Sequence, residues 1–209
     1  MVDIMSATRL IGWLVASDRR AVVTVSVFGV VLLWARAPFA LRNFYAEDGA
    51  VHYQDALTIG FFESLRTNVD GYYLLGPRVV GSLVALVPVS AAALANYLMV
   101  VLVVVWISST IYLSSKTTLN SPLTRLILAM SVTLLPIVGF ESIANSANLQ
   151  YLLLCASSVA LLGRQQTIWR KANDVVFVVV TGFTTPLLIC AAPLVGMRIW
   201  RDRRENGRY

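Results

Sequence analysis

The stretch Phe44-Tyr45-Ala46-Glu47-Asp48-Gly49-Ala50-Val51-His52 carries two adjacent carboxylates beside a glycine. Such a pair supports two chemistries. A carboxylate can take the proton of a hydroxyl acceptor as a general base. Two together can hold a divalent cation through oxygen ligands. Gly49 would let the backbone turn sharply beside them. The plainer reading is a solvated acidic cap on a helix. Adjacent side chains on a helix point about 100° apart, so both cannot meet one acceptor oxygen. Asp48, next to Gly49, is the expected base. Glu47 is expected to assist by orientation or as a metal ligand.

Two further clusters could bind rather than react. Asp70-Gly71-Tyr72-Tyr73 runs into Pro77-Arg78. Tyrosines favour a membrane interface, and Tyr72 could line a binding groove there. The planar fork of Arg78 suits a phosphate, although an arginine at the edge of an apolar run can also be a snorkelling anchor. Glu141, Asn145, Asn148 and Gln150 set a carboxylate and three amides in one short segment. These groups could bind sugar hydroxyls, or form an ordinary polar turn. His52 is the only histidine, which excludes a multi-histidine metal site within the chain. The chain has no Walker motif, nucleophile elbow or CxxC pair. Cys155 and Cys190 lie in apolar runs and read as small buried hydrophobes.

The elements that must position these residues are apolar. Of the 209 residues 57% are hydrophobic and 13% charged, with a mean hydropathy of +0.72. Soluble domains carry about 25% charged residues, so this surface is too poor in charge for water. Val79 to Ser115 is 37 residues without a charge, and 142–163 and 175–197 are also uncharged. Shorter runs fall at 21–35 and 126–140. Recurrent runs of this length read as membrane spans. The expected fold is all-α: a polytopic helical transmembrane protein forming one membrane domain over 1–209. About four full spans are expected, with a broken C-terminal hairpin and an outer-face interfacial helix. The first span is placed at 21–41 and reads as an uncleaved anchor. An outer loop with interfacial helices occupies 42–90. The remaining spans and a basic tail fill 91–209. Pro88 breaks the 37-residue run into an interfacial segment, 74–88, and a span at 91–113. Further spans are placed at 124–140 and 149–163, with Arg164, Arg170 and Lys171 in a basic loop. No charged residue is expected in the middle of a span.

Charge sidedness orients the chain. With 175–197 folded as a hairpin at Thr181-Gly182 and Thr184-Thr185-Pro186, 13 Lys/Arg fall on the cytoplasmic side and 4 outside. That split follows the positive-inside rule and puts both termini in the cytoplasm of a cell-membrane protein. The net charge of +6 then comes from short arginine clusters between spans, not from a nucleic-acid patch.

A first span, then an outer loop opening on an acidic pair and continuing into an interfacial helix, resembles the GT-C superfamily of membrane glycosyltransferases. Four stretches carry the resemblance: Ala46-Glu47-Asp48-Gly49, Gly71-Tyr72 through Pro77-Arg78, Glu141 to Gln150, and Thr181-Gly182 through Pro186. The match is to the N-terminal portion of bacterial members, which are usually longer. The resemblance implies inverting transfer of a sugar from a polyprenyl-phosphate donor to an acceptor on the outer face. Asp48 or Glu47 would then be the catalytic or metal-binding carboxylate, and Arg78 a phosphate contact. Membrane lipids, the lipid-linked sugar and further membrane subunits are the implied partners. A non-catalytic subunit that binds a lipid-linked glycan or a partner protein, and a small transporter, remain alternatives.

Overall fold

A computed structural model of the chain describes residues 9–207 apart from 11, 70, 72, 135–143, 164–166 and 206. Every element among the described residues is helical. Helix α1 (Asp18–Arg36) starts at Ser17, whose hydroxyl accepts from the Arg20 amide, and a short turn follows over Pro38–Leu41. A π-helical turn, Asp48–Tyr53, leads directly into α2 (Gln54–Thr58), and α3 (Phe61–Ser64) follows. The helical part of this loop is thus divided into short segments. Gly60, at φ +89°, breaks it between α2 and α3, a conformation that side-chain-bearing residues avoid. The next helix, α4 (Leu75–Val84), is separated by Pro88 from α5 (Val89–Ser114). Helices α6 (Pro122–Leu134), α7 (Leu149–Leu162) and α8 (Ile168–Thr184) follow. A turn over Pro186–Ala191 then leads to α9 (Ala192–Glu205).

Two expectations about α8 change. Its start is at Ile168, not near 175, because the Thr167 hydroxyl caps the Arg170 amide and the basic turn is helical rather than a loop. Asp174, just before the expected apolar run, therefore lies within a helix and is buried. The break after α8 comes where Pro186 cannot continue the helix. The chain then reverses, and Arg198 and Arg201 of α9 donate to the carbonyls of Ala160 and Leu162 at the end of α7.

The bundle has two chemically different ends. At one end Asp18 is surrounded by Lys116 at 2.9 Å, Arg170 at 3.1 Å and Arg125 at 3.9 Å. This is the basic end. The opposite end, the loop end, holds the described residues of 42–88, the 144–148 segment and the C-terminus of α8. Between the ends the helices meet over small residues. Ala21, Ala129, Ala156 and Ala160 are fully buried, which lets backbones approach closely.

One helix among the described residues is long and apolar enough to cross a membrane: Val89–Thr117, comprising α5 and its terminal turn. At ~1.5 Å per residue it exceeds the ~30 Å hydrocarbon layer. The outer surface is apolar elsewhere too. Val23, Val27, Val31 and Trp34 of α1, Leu94, Leu98 and Leu102 of α5, and Val175, Val179 and Phe183 of α8 are exposed. Ser108, Thr110, Ser157, Thr181 and Thr184 are buried instead, and the Ser157 and Thr181 hydroxyls pair at 2.7 Å.

Candidate functional site

Asp48 lies at the start of the π-helical turn and is 1% exposed. Both its oxygens accept twice. Oδ1 takes the Ser146 hydroxyl at 2.9 Å and the Ala147 amide at 3.0 Å. Oδ2 takes the Ser146 amide at 2.8 Å and the Asn96 side-chain amide at 2.9 Å. One carboxylate thus ties the first loop to α5 and to the segment that leads into α7. Burial pushes the Asp48 carboxyl above its usual range, and the four hydrogen bonds pull it partly back. Alanines in the left-handed region stand on both sides of this junction: Ala46 at φ +27° and Ala144 at φ +61°. Such strain in residues with a Cβ persists only where surrounding contacts fix it, and it concentrates at functional sites.

The π-helical turn packs on α4 with almost no gap. A Cβ on Gly81 would fall 2.7 Å from the His52 carbonyl, so only glycine permits this approach. On the other side of the turn, Tyr53 stacks on Phe44 with ring centroids 4.8 Å apart. His52 is 1% exposed, and neither ring nitrogen has a hydrogen-bond partner among the described residues. Burial and the nearby positive charge of Arg78 hold its pKa down to about 4, so the ring is neutral at physiological pH. Arg78, on α4, is equally buried and donates to the Asp55 carboxylate. Its Nε has no hydrogen-bond partner among the described residues. Below this layer the Gly76 amide donates to the Thr184 hydroxyl at 3.0 Å, joining α4 to the end of α8.

The residues singled out by sequence have different fates. Asp48, Arg78 and Asn145 are buried at the loop end, and Asn145 accepts from the Ala147 amide at 2.7 Å. Glu47 precedes the π-helical turn and is exposed. Asn148 stands at the cap position of α7 and Gln150 in its first turn, both partly exposed. Tyr72 and Glu141 lie outside the described residues. Sequence reasoning missed Asn96, Asp55, Ser146 and any structural role for His52. Asn96 left a signal, being the only amide side chain in the 37-residue uncharged run.

A divalent metal does not fit Asp48, whose lone pairs are all directed at N–H and O–H donors. Among the described residues no group of three or more His, Cys, Asp or Glu side chains gathers to hold one. Glu47, by contrast, is an exposed carboxylate just before that turn. No protein-family model, curated protein or solved structure matches the chain.

Proposed function

We propose that the chain is a multi-pass membrane protein of the GT-C glycosyltransferase type, acting on a polyprenyl-phosphate-linked sugar at its loop end. The observation that carries this reading is convergence. The four stretches behind the resemblance are far apart in sequence, yet described residues of each meet at one end of the bundle. Asp48 binds Ser146 and Ala147, Gly76 binds Thr184, and α4 packs on the π-helical turn. The membrane setting is supported by the inverted surface, with apolar side chains outside and hydroxyls within.

In this reading the acceptor oxygen attacks the anomeric carbon and the sugar–phosphate bond breaks. Polyprenyl phosphate leaves with the electron pair, and a carboxylate takes the acceptor proton. Glu47 is the carboxylate open to an acceptor, while Asp48 acts as a positioning residue that holds the loop against 144–148. Arg78, buried and paired with Asp55, acts in this reading as a positioning residue that holds α4 beside the turn, and its positive charge favours the departing phosphate without touching it. The fully hydrogen-bonded state of Asp48 favours a second reading, a subunit that binds the lipid-linked sugar without transferring it.

The test uses the full chain in proteoliposomes with a radiolabelled polyprenyl-phosphate sugar, hydroxyl acceptors and, in parallel, candidate membrane subunits. Transfer that falls ~10²- to 10⁴-fold in Glu47→Gln supports the catalytic reading. Donor binding without transfer in any combination supports the subunit. Absence of donor binding sinks both.

A further inference from the structure

At the basic end, a cleft of ≈ 330 Å³ is lined by Trp13, Ser17, Arg19, Arg20, Val23 and Thr24. The acid beside it, Asp18, is already engaged by Lys116 and Arg170. Arg19 and Arg20 are exposed, and neither forms an ion pair with a described residue. The Arg20 guanidinium lies over the Trp13 ring at 4.9 Å, which fixes one wall. Directly along the helix from Arg20, at spacings of three and four residues, run Val23, Val27, Val31 and Trp34, all exposed. These positions share one face of α1. Two uncompensated cations therefore head an open apolar stripe.

We propose that this cleft binds one anionic phospholipid of the phosphatidylglycerol class. Its phosphodiester would sit on Arg19 and Arg20, its glycerol against Ser17 and Trp13, and an acyl chain along Val23, Val27 and Val31. The charge selects an anionic headgroup, and the stripe selects a lipid over free phosphate. The inference rests on the membrane reading and is independent of sugar transfer.

The test is native mass spectrometry of the full chain released from micelles doped with phosphatidylglycerol or phosphatidylcholine. The expected result is one retained phosphatidylglycerol, no comparable retention of phosphatidylcholine, and no competition by inorganic phosphate. Two arginines at an anionic surface correspond to ~30-fold in affinity, so Arg19→Gln/Arg20→Gln should weaken retention by about that factor. Arg203→Gln/Arg204→Gln, exposed on α9, should leave it unchanged. Equal retention of both lipids, displacement by inorganic phosphate, or equal loss in both double variants would overturn the site. The wild-type comparisons decide even if the first double variant fails to fold. A chain that stays monodisperse without detergent would instead overturn the membrane reading itself.

Discussion

Asp48 has two oxygens and four donors, and that ratio determines what its replacement does. Alanine at position 48 removes both oxygens. The Ala147 N–H keeps the Asn145 side-chain oxygen as its acceptor, but the Ser146 N–H that meets Oδ2 cannot reverse. Asp48→Ala should therefore lose about 1–3 kcal/mol of stability, as expected for a buried donor left without an acceptor. Thermal unfolding in mild detergent measures this, and wild-type stability would refute the positioning role. Glu47→Gln, being exposed, should leave unfolding unchanged, so the two substitutions separate structure from chemistry. The same turn also predicts two opposed pH dependences. His52 ionises at about 4 when folded and near 6.5 when unfolded. Its neutral form is favoured by folding, so stability should fall by ~3 kcal/mol as pH drops from 6.5 to 4. Asp48 is raised above 3.8 by burial, so its contribution runs the other way: stability is lost as pH rises from 3.8 through the folded pKa. Comparing unfolding curves of wild type and His52→Leu over this range isolates the histidine. A variant that keeps the full acid sensitivity would move its cause elsewhere.

The π-helical turn and α4 work as one unit because Gly81 admits the His52 backbone. Gly81→Ala places a methyl 2.7 Å from backbone atoms that cannot rotate away. It should cost ~1–3 kcal/mol by overpacking. Gly29, in α1, has open space around the corresponding position, and Gly29→Ala should be neutral or gain up to ~1 kcal/mol from helix propensity. Equal effects of the two alanines would mean that the turn is not packed as described. At this scale the sequence was partly legible. The uncharged runs mark α5 and α7 closely, and Pro88 separates α4 from α5, because apolarity and proline act locally. The start of α8 was hidden because charges at 170, 171 and 174 resemble a loop, whereas a Thr167 cap makes them helical. The junction at Asp48 was hidden for a different reason. Two of its donors are backbone amides 98 and 99 residues away, and backbone donors carry no residue signature. The carboxylate pair was visible in the sequence, but which member is buried depends on tertiary contacts.

Over the whole molecule, the described residues divide into a basic end and a loop end. Lys116, Arg125 and Arg170 gather on Asp18 at one end, while Asp48, Asp55 and Arg78 gather at the other. Under the proposed membrane reading this division predicts sidedness, with the basic end cytoplasmic. A lipid-linked sugar outside the cell would meet only the loop end. Single cysteines test this most directly, introduced into the full chain after Cys155 and Cys190 are replaced. Glu47→Cys and Phe62→Cys mark the loop end, where both native side chains are exposed. Lys116→Cys, Lys171→Cys and Arg203→Cys mark the basic end. An impermeant thiol reagent on intact cells should label positions 47 and 62, and should reach 116, 171 and 203 only after permeabilisation. Labelling of 116 and 171 without 47, or of all five positions in intact cells, would contradict a membrane-crossing bundle with its carboxylate end outside.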